Sequence, residues 1–349
     1  MFIYSKKAIW ISMVFFFFFM IYAQGENKII KNIFDQEYAS TLIHLIQKAK
    51  VSIYAVHLSF SIEEGICHEI MQEMVAAAKR GVKITMLLEG KKRGLREKNA
   101  RTEKKFQESG IKVVLNQSRR VAHAKIFVVD SEWVLAGSTN LTNSSIQKNH
   151  EANLLIQSPA IAQSMEKYAQ ELVNNSDREI SIESETDSQI KAITDTKFFL
   201  HALDMIQNAK QEICITTYLM DYSPDYPDSS LYRLFMGLID AHKRGVKIRI
   251  FLEQSTFLFN DHIHEKNLES AQFLKSQGIV STLFDKEDQI THSKIILVDK
   301  KKALLGSTNW YSFDLDFGHQ VNFVIENDAI VHGLAEYFDE LYKTGVIVK

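Results

Sequence analysis

The chain has 349 residues, of which 46% are hydrophobic and 24% charged, and its formal net charge is −2. This is an ordinary globular composition with enough length for two hydrophobic cores. The slightly acidic balance excludes a protein that is drawn to nucleic acid or anionic lipid by its overall charge.

The first 25 residues have the layout of a secretory signal peptide. Lys6-Lys7 precede an apolar run over residues 8–23, and Ala23-Gln24-Gly25 places small residues at positions −3 and −1 of a cut. We therefore expect a mature chain that begins at or near Glu26 and is secreted or periplasmic. The alternative is an uncleaved membrane anchor, although the apolar run is shorter than the roughly 20 residues that span a bilayer.

Helix and strand patterns alternate along the first half of the mature chain. The second predicted helix shows the periodicity best, because Ile66, Ile70, Met74 and Ala78 fall on one helical face. The predicted elements are a helix near 38–49, a strand at 52–56, a helix near 66–78, a strand at 83–88, a helix around 103–109 and a short strand at 112–115.

A seven-position pattern follows these elements and returns later in the chain at the same spacing. The residues between its lysine and its aspartate are apolar in both copies, which predicts a buried strand. Side chains alternate along a strand, so the histidine and the lysine of each copy should face one pocket. The first copy is His123-Ala-Lys125, Asp130 and Gly137-Ser138-Thr139-Asn140, and the second is His292-Ser-Lys294, Asp299 and Gly306-Ser307-Thr308-Asn309.

The aspartate of each copy, Asp130 or Asp299, lies five residues after the lysine. An odd separation on a regular strand places the two side chains on opposite faces. We therefore expect both aspartates to be structural residues that bind turn amides and do not contact phosphate.

The elements before the first pattern also return before the second. Residues 46–50 match 206–210 and residues 79–84 match 243–248, with an offset that grows from 160 at the first match to 169 at the pattern itself. A period this long indicates a duplicated domain. The elements predicted in the second copy are a helix near 198–209, a strand at 213–218, a helix at 231–242 and a strand at 247–252.

This order of elements predicts an α/β fold of two similar α/β repeats, each a mixed mostly parallel sheet flanked by helices. The polar residues 174–188 form the expected linker between the repeats. The predicted boundaries are residues 26–180 for repeat 1 and residues 181–349 for repeat 2, after the signal peptide at 1–25.

The chain has two cysteines, Cys67 and Cys214, one in each repeat. Their places on an amphipathic helix and in a strand predict two buried thiols, and an inter-repeat disulfide is the alternative in an oxidising compartment. No cluster of cysteine and histidine in the sequence supplies the ligands of a zinc site.

The duplicated pattern resembles the HxK(x)4D(x)6GSxxN signature of the phospholipase D superfamily, and both copies match it at every defining position. The resemblance covers essentially all of the chain after the leader. It implies that the two motifs meet at one active site across a pseudo-twofold interface between the repeats. Since both motifs are in one chain, it also implies that a monomer is sufficient.

Cleavage of a phosphodiester needs a nucleophile, an acid for the leaving oxygen, and cations or hydrogen-bond donors for the developing charge. The resemblance implies that one of His123 and His292 attacks phosphorus to form a phosphohistidine, while the other protonates the leaving alcohol and then activates water. It implies no metal and no other cofactor. The groups expected to hold the non-bridging oxygens are Lys125, Lys294, Asn140 and Asn309, with Ser138 and Ser307 as further donors.

Members of this family carry a downstream carboxylate that orients a catalytic imidazole. Glu151 lies 28 residues after His123, but the equivalent residue in repeat 2 is Gln320. A glutamine carbonyl can accept the Nδ1–H of an imidazole but supplies no charge to stabilise the imidazolium. In relatives this contact crosses to the opposite motif, which would pair Glu151 with His292 and Gln320 with His123.

The charge difference between Glu151 and Gln320 predicts separate roles for the two histidines. An anion beside an imidazole raises its pKa and suits it to donate a proton, whereas a neutral partner favours the unprotonated nucleophile. With crossed pairing His292 is the acid and His123 is the nucleophile, which is also the family habit. With uncrossed pairing the roles invert.

Residues 91–120 contain eleven Lys and Arg against three Glu, whereas residues 255–289 contain three Lys against six acidic residues. The basic segment predicts either a solvated helix face or a rim that binds a phosphate-rich partner through Arg119 and Arg120 among others. That partner is an anionic lipid surface or a nucleic acid backbone. The second segment carries aromatic residues that suit an acyl chain or stacked bases, namely Phe257, Phe259 and Phe284.

The leading hypothesis is a secreted phospholipase D-like phosphodiesterase that hydrolyses phospholipid head groups and contacts the membrane surface transiently. The export signal and the two motifs in one chain favour it. A metal-independent endonuclease of the same superfamily, with nucleic acid as its partner, is the first alternative. A phosphatidyltransferase of cardiolipin-synthase type is the second, since it differs only in whether an alcohol or water resolves the phosphohistidine.

Overall fold

The computed structural model describes residues 29–184, 189–254 and 261–347. The predicted signal peptide at 1–25 lies outside these residues. Within the described ranges, no helix combines the length and the apolar character that a membrane crossing requires.

Each half of the chain builds a seven-stranded sheet with helices around it. The first half contains β1 (Ile30–Phe34), α1 (Glu37–Lys48), β2 (Ser52–His57), α2 (Gly65–Lys79), β3 (Lys83–Glu89), α3 (Leu95–Gln107), β4 (Lys112–Asn116), β5 (Ile126–Val129), β6 (Trp133–Gly137), α4 (Asn143–Gln147), β7 (Ala152–Gln157) and α5 (Pro159–Asn174). The second half contains β8 (Ile190–Thr194), α6 (Lys197–Asn208), β9 (Glu212–Thr217), α7 (Ser230–Lys243), β10 (Lys247–Leu252), α8 (Asp261–Ser276), β11 (Thr282–Phe284), β12 (Ile295–Val298), β13 (Lys302–Gly306), α9 (Ser312–Asp316), β14 (Val321–Ile325) and α10 (Asp328–Thr344).

The two sheets have the same strand order, which confirms the duplication. The first sheet runs β1-β7-β6-β5-β2-β3-β4, and the second runs β8-β14-β13-β12-β9-β10-β11. The α/β class with mixed sheets is therefore as predicted, but the expectation that they are mostly parallel is wrong. In the first sheet only β2–β3 and β3–β4 pair in parallel, while the other neighbours are antiparallel. For β5 and β6 the reason is their short connection over residues 130–132, because a parallel crossover needs a dozen or more residues.

Three hydrophobic clusters stack through the molecule. The central cluster takes residues from the inner faces of both sheets together with α5 and α10. The outer clusters pack α1, α2 and α3 on the first sheet and α6, α7 and α8 on the second. Helices therefore lie on both faces of each sheet, as the alternating pattern predicted.

The two helices of the central layer begin at equivalent capping residues. Ser158 before α5 and Asn327 before α10 each accept a hydrogen bond from a backbone N–H of the first helical turn. Pro159 occupies the start of α5, where its missing N–H costs nothing. These caps fix where each helix starts after β7 and β14, and so where its apolar stripe meets the sheet.

Helix α3 begins at Leu95, earlier than the predicted helix around 103–109. Its first turns carry no apolar stripe, so hydrophobic periodicity cannot reveal them. The helix instead buries the polar Asn99, whose amide donates to the carbonyls of Leu58 and Glu89 at 2.9 and 2.7 Å. These bonds hold α3 against the ends of β2 and β3.

Cys67 and Cys214 are both buried free thiols. Cys67 lies in the outer cluster of repeat 1, whereas Cys214 lies in the central cluster. The prediction of two buried thiols is confirmed, and the alternative of an inter-repeat disulfide is wrong, because the two side chains belong to different cores.

Asp130 and Asp299 are structural residues, as predicted. The carboxylate of Asp130 accepts hydrogen bonds from the backbone N–H groups of Lys50, Val51 and Ser52 at 2.8, 2.8 and 2.9 Å. Asp299 accepts the same three bonds from residues 210–212. Each aspartate therefore joins the start of one strand to the end of the motif strand, at the strand ends opposite to the motif histidine.

We expect Asp130→Asn to lower the free energy of unfolding by about 1–3 kcal/mol while changing the turnover per folded molecule little. An amide has one acceptor oxygen in place of two, and its NH2 group would face a backbone donor. Urea denaturation followed by circular dichroism measures the loss. Asp299→Asn is the matched variant in repeat 2 and should lose a similar amount. A fall in turnover at unchanged stability would show instead that Asp130 acts in catalysis.

Candidate active site

The two His-x-Lys segments lie where the repeats meet. Neither segment is part of its own sheet, because β5 and β12 begin only after the lysine. Each is held instead by the opposite repeat. The N–H groups of residues 123 and 124 donate to the His319 carbonyl at 3.0 and 2.7 Å, and those of residues 292 and 293 donate to the His150 carbonyl at 2.9 and 2.8 Å. This reciprocal exchange is the pseudo-twofold packing that the resemblance implied, and it brings both motifs to one place.

His123 and His292 line one cleft of about 750 Å³ between the repeats. Only 9% of the surface of His123 and 7% of that of His292 is exposed. A group that reaches either imidazole through the cleft is therefore largely removed from water. Electrostatic interactions are stronger in such a site than at the surface.

Each imidazole contacts the opposite repeat through Nδ1. His292 Nδ1 lies 3.0 Å from Glu151 Oε2, and His123 Nδ1 lies 3.2 Å from Gln320 Oε1. The pairing in the structure is thus the crossed one. A neutral imidazole that donates its Nδ1–H keeps Nε2 unprotonated, which is the form that a nucleophile or a base requires.

Lys125 and Lys294 are almost completely buried beside the imidazoles. Each Nζ donates to the backbone carbonyl of the histidine in its own motif. Burial lowers the pKa of both lysines to about 7, and the charge of Lys294 adds to the effect on Lys125. An anionic phosphodiester in the cleft would favour the charged ammonium forms.

The hydroxyls of Ser138 and Ser307 do not have the expected role of hydrogen-bond donors to phosphate. Ser138 Oγ donates to Glu151 Oε2 at 2.5 Å, and Ser307 Oγ donates to Gln320 Oε1 at 2.7 Å. A hydroxyl has one proton to donate, so neither can donate to phosphate at the same time. The two serines hold the residues that orient the imidazoles.

Asn140 and Asn309 both line the cleft. Asn309 Nδ2 donates to Asp314 Oδ2 at 2.8 Å. The Oδ1 atoms of both asparagines are buried and have no hydrogen-bond partner within the part of the chain that the structure describes. Since an unpaired buried acceptor is costly, these atoms are available to a hydrogen of a bound water or alcohol.

Two further aspartates hold the orienting residues and were not singled out from the sequence. Asp35 Oδ1 accepts hydrogen bonds from the Glu151 N–H at 2.8 Å and from the Tyr337 hydroxyl at 2.7 Å. Tyr337 lies on α10 of the opposite repeat, so the contact also joins the two halves. The equivalent set in repeat 2 is Asp195, Gln320 and Tyr168.

A carboxylate that the sequence analysis did not single out lies beside His123. Asp314 Oδ2 is 3.6 Å from His123 Nδ1, and Asp314 is buried. His123 therefore has a buried carboxyl group nearby, although its hydrogen-bond partner Gln320 is neutral. Alignment of the repeats could have revealed this aspartate, because the offset that pairs Gln320 with Glu151 also pairs Asp314 with Ser145.

The surroundings of the two imidazoles differ in how they affect protonation. Burial, together with the charges of Lys125 and Lys294, lowers the pKa of His123 well below its usual range. Burial also lowers the pKa of His292, but Glu151 opposes that shift. Burial by itself would raise the pKa of Glu151, yet His292 and Lys294 outweigh it and lower that pKa. His292 is therefore the better placed of the two to carry a proton.

The cleft wall from repeat 1 is basic. Lys91 and Lys92 line it from the loop after β3, and Arg119 lines it from the loop after β4. Arg120 lies instead 3.9 Å from Glu179. The basic segment is thus divided between the cleft wall and the surface, since its other basic residues include an exposed set on α3. That set is Arg96, Arg101, Lys104 and Lys105.

The cleft wall from repeat 2 is aromatic. Tyr218, Tyr311 and Phe313 line it. Tyr218 packs its ring 5.0 Å from the His292 ring, and nothing in the sequence pattern singled it out. Phe317 lies beside Phe313 with a ring distance of 5.8 Å, and 53% of its surface is exposed. The repeat-1 residues at the positions of Phe313 and Phe317 are Ser144 and Lys148, so this aromatic strip is confined to repeat 2.

The sequence predicted other aromatic residues as contacts for a ligand. Phe284 is buried in the outer core of repeat 2 and does not reach a ligand, so that prediction is wrong. The strand β11 places its side chain in the core, which a count of aromatic residues along a segment cannot show. Phe257 and Phe259 lie outside the described residues.

Comparison with known protein families gives a match to the model described as "Cardiolipin synthase, PLD-like domain". The match covers residues 42–173 and 202–342, which is more than half of the chain. A phospholipase D of Rickettsia bellii is 30% identical over 135 residues, which are 38% of this chain and 56% of that protein. Cardiolipin synthase A of Yersinia pseudotuberculosis is 22% identical over 335 residues, 86% of this chain and 66% of that protein. The chain thus spans about half the length of the phospholipase D that it matches.

The crystal structure of a phosphatidylserine synthase from Haemophilus influenzae shares the fold. Its TM-score is 0.73 at 14% sequence identity, over 92% of this chain and 87% of that one. At this identity the likeness concerns the fold alone.

Proposed function

Because this chain belongs to the phospholipase D-like family, we propose that it is a phosphodiesterase that hydrolyses phospholipid head groups. The observation that carries the proposal is the crossed pairing of His123 with Gln320 and of His292 with Glu151 at one cleft. It gives two buried imidazoles whose Nδ1 atoms are engaged, so that both Nε2 atoms are left for chemistry.

In the first step His123 Nε2 attacks phosphorus, and the bond between phosphorus and the head-group oxygen breaks. His292, as the imidazolium, transfers its Nε2 proton to that oxygen, so the head-group alcohol departs neutral. The product is a phosphatidyl group bound to His123. Lys125 and Lys294 stabilise the charge that develops on the non-bridging oxygens.

In the second step a water molecule attacks the phosphatidyl-histidine. His292, now neutral, takes a proton from this water as the new oxygen–phosphorus bond forms. The bond between phosphorus and His123 Nε2 breaks, and phosphatidic acid leaves. Both histidines then have the protonation with which they began.

The two walls of the cleft support a phosphodiester that carries an apolar group. Lys91, Lys92 and Arg119 attract the phosphate side, whereas Tyr311 and Phe313 offer an aromatic surface. A polynucleotide would bring further phosphates along both walls, and those on the repeat-2 side would meet the aromatic strip in place of cations. A phospholipid would place its phosphate on the basic wall and its acyl chains on the aromatic wall, whereas the nuclease alternative requires bases stacked on the aromatic wall.

A phosphatidyltransferase is the second candidate function. The observation in its favour is the match over 86% of this chain to a protein named cardiolipin synthase A. The chemistry of the first step is the same in both cases. A second alcohol in place of water would resolve the phosphatidyl-histidine and give a new phospholipid.

One set of assays tests the proposal. Purified protein in EDTA is given vesicles of phosphatidylcholine and phosphatidylethanolamine, with and without glycerol, and single-stranded DNA in a separate reaction. We expect free head group and phosphatidic acid. Phosphatidylglycerol in place of phosphatidic acid would favour the transferase, and DNA cleavage without lipid hydrolysis would replace the proposal by a nuclease. His123→Ala in every reaction shows which activity belongs to this site.

We expect Phe317→Ser to reduce the turnover of vesicles relative to the turnover of a monomeric, short-chain phospholipid by about tenfold. An exposed phenylalanine that enters a lipid surface contributes up to about 1.5–3 kcal/mol, and each 1.4 kcal/mol is a factor of ten. The matched control is Val51→Ser, because Val51 is 63% exposed and precedes β2 at the end opposite to the cleft. A ratio unchanged by Phe317→Ser would show that Phe317 makes no contact with membrane.

The proposal includes export and action as a monomer. Export rests on the leader pattern at residues 1–25. Action as a monomer rests on the site itself, because one copy of the chain supplies both motifs and both orienting residues.

A further inference from the structure

The two halves of the site each contain one carboxylate, but at different positions. In repeat 1 the pair is Ser145 and Glu151, and Ser145 Oγ donates to Glu151 Oε1. In repeat 2 the residues at the same offsets are Asp314 and Gln320. Repeat 1 thus carries its carboxylate at Glu151, whereas repeat 2 carries it at Asp314, the position equivalent to Ser145.

This exchange places two different groups beside Nδ1 of His123. Gln320 Oε1 lies 3.2 Å away and Asp314 Oδ2 lies 3.6 Å away. Asp314 Oδ2 is fixed in place by Asn309, whose side-chain and backbone N–H groups donate to it at 2.8 and 3.3 Å. The amide of Gln320 therefore accepts the Nδ1–H, and the carboxylate of Asp314 supplies a negative charge nearby.

The charged groups that surround His123 otherwise disfavour a positive ring. Burial and the charges of Lys125, Lys294 and Lys92 lower its pKa, and the hydrogen bond to Gln320 opposes them. Burial also raises the pKa of Asp314, while Asn309 and the two motif lysines act against that rise. The Asp314 carboxyl group is thus held among cations, 3.6 Å from the His123 ring.

We propose that Asp314 and Gln320 together do for His123 what Glu151 alone does for His292. The inference rests on the proposed function, in which His123 attacks phosphorus. Formation of the Nε2–phosphorus bond makes the ring cationic while Nδ1 keeps its proton. Gln320 fixes the tautomer that attacks, and Asp314 stabilises the positive charge that appears on the ring. Asp314 is therefore a positioning and electrostatic residue for the nucleophile.

The test exchanges the pair of repeat 2 for that of repeat 1. Asp314→Ser and Asp314→Asn are each expected to lower kcat by on the order of 10- to 100-fold with little change in KM. Adding Gln320→Glu to Asp314→Ser recreates the Ser/Glu pair and should recover most of the loss. Asp316→Asn removes the same charge two residues further along α9 and is the matched control. Normal kcat in Asp314→Ser, or no recovery in the double variant, would overturn the inference.

A second readout does not depend on turnover. The 15N chemical shifts of the His123 ring, followed as the pH is lowered, report its pKa, which should fall further in Asp314→Asn and return in the Ser/Glu variant. His292 is the internal control in the same spectra, because Glu151 is retained. An unchanged His123 signal overturns the inference whatever the activity. A changed signal in a protein that hydrolyses no phospholipid supports the pairing and rejects the proposed function alone.

Discussion

His123→Ala and His292→Ala are each expected to reduce phospholipid hydrolysis by roughly 10³-fold or more, because the nucleophile and the acid act as a unit. Removal of His123 leaves no group to form the covalent intermediate. Removal of His292 leaves the departing alkoxide without a proton. The losses should not add, so the double variant should be about as inactive as either single variant. Rates of head-group release at saturating substrate measure the effect.

The control for this experiment is His332→Ala, since the side chain of His332 is 75% exposed on α10 and pairs with Glu336. It should leave the rate unchanged. Each variant is also assayed in EDTA, where the activity of the unmodified protein should persist. Near-normal turnover of either motif variant, or loss of activity in EDTA, would contradict the mechanism.

A trapped phosphohistidine is expected on His123 and not on His292. His292 Nδ1 lies 3.0 Å from the carboxylate of Glu151, which favours the protonated ring that serves as the acid. The ring of His123 has the neutral Gln320 as its hydrogen-bond partner and two lysines that lower its pKa. Asp314 reduces this difference between the two rings, because it also brings a carboxylate near His123. It lies 3.6 Å from Nδ1, a longer distance than that of Glu151 from His292, so His292 remains the ring that holds a proton more readily.

A substrate with a better leaving group separates the role of the nucleophile from that of the acid. A phosphodiester with an acidic phenol as its leaving group needs little help from a general acid. His292→Ala should therefore still form the covalent intermediate with it, and should hydrolyse that intermediate slowly for lack of a base. Rapid quench and mass spectrometry should find the added mass on the peptide that contains His123. Label on His292 in the unmodified protein would refute the assignment.

The sequence by itself determined the α/β class, the duplication and both motifs. These features are local, since apolar periodicity and residue spacing are set within one strand, one helix or one pair of matched segments. The turn role of Asp130 also followed from spacing, because an odd separation turns its side chain away from that of Lys125. The first turns of α3 escaped prediction since their burial is polar and rests on hydrogen bonds of Asn99 to other elements.

The tertiary structure decided which residues meet. The crossed contacts of His123 and His292 form only when the repeats exchange hydrogen bonds through His150 and His319, and no spacing within one repeat encodes that exchange. The same packing directs Ser138 to Glu151 and places Phe284 in the core. It also sets Asp314 beside His123, so that the charge missing at Gln320 is supplied by another residue. A carboxylate acts on an imidazole through distance in space, and distance between residues that are far apart in the chain is fixed by the fold.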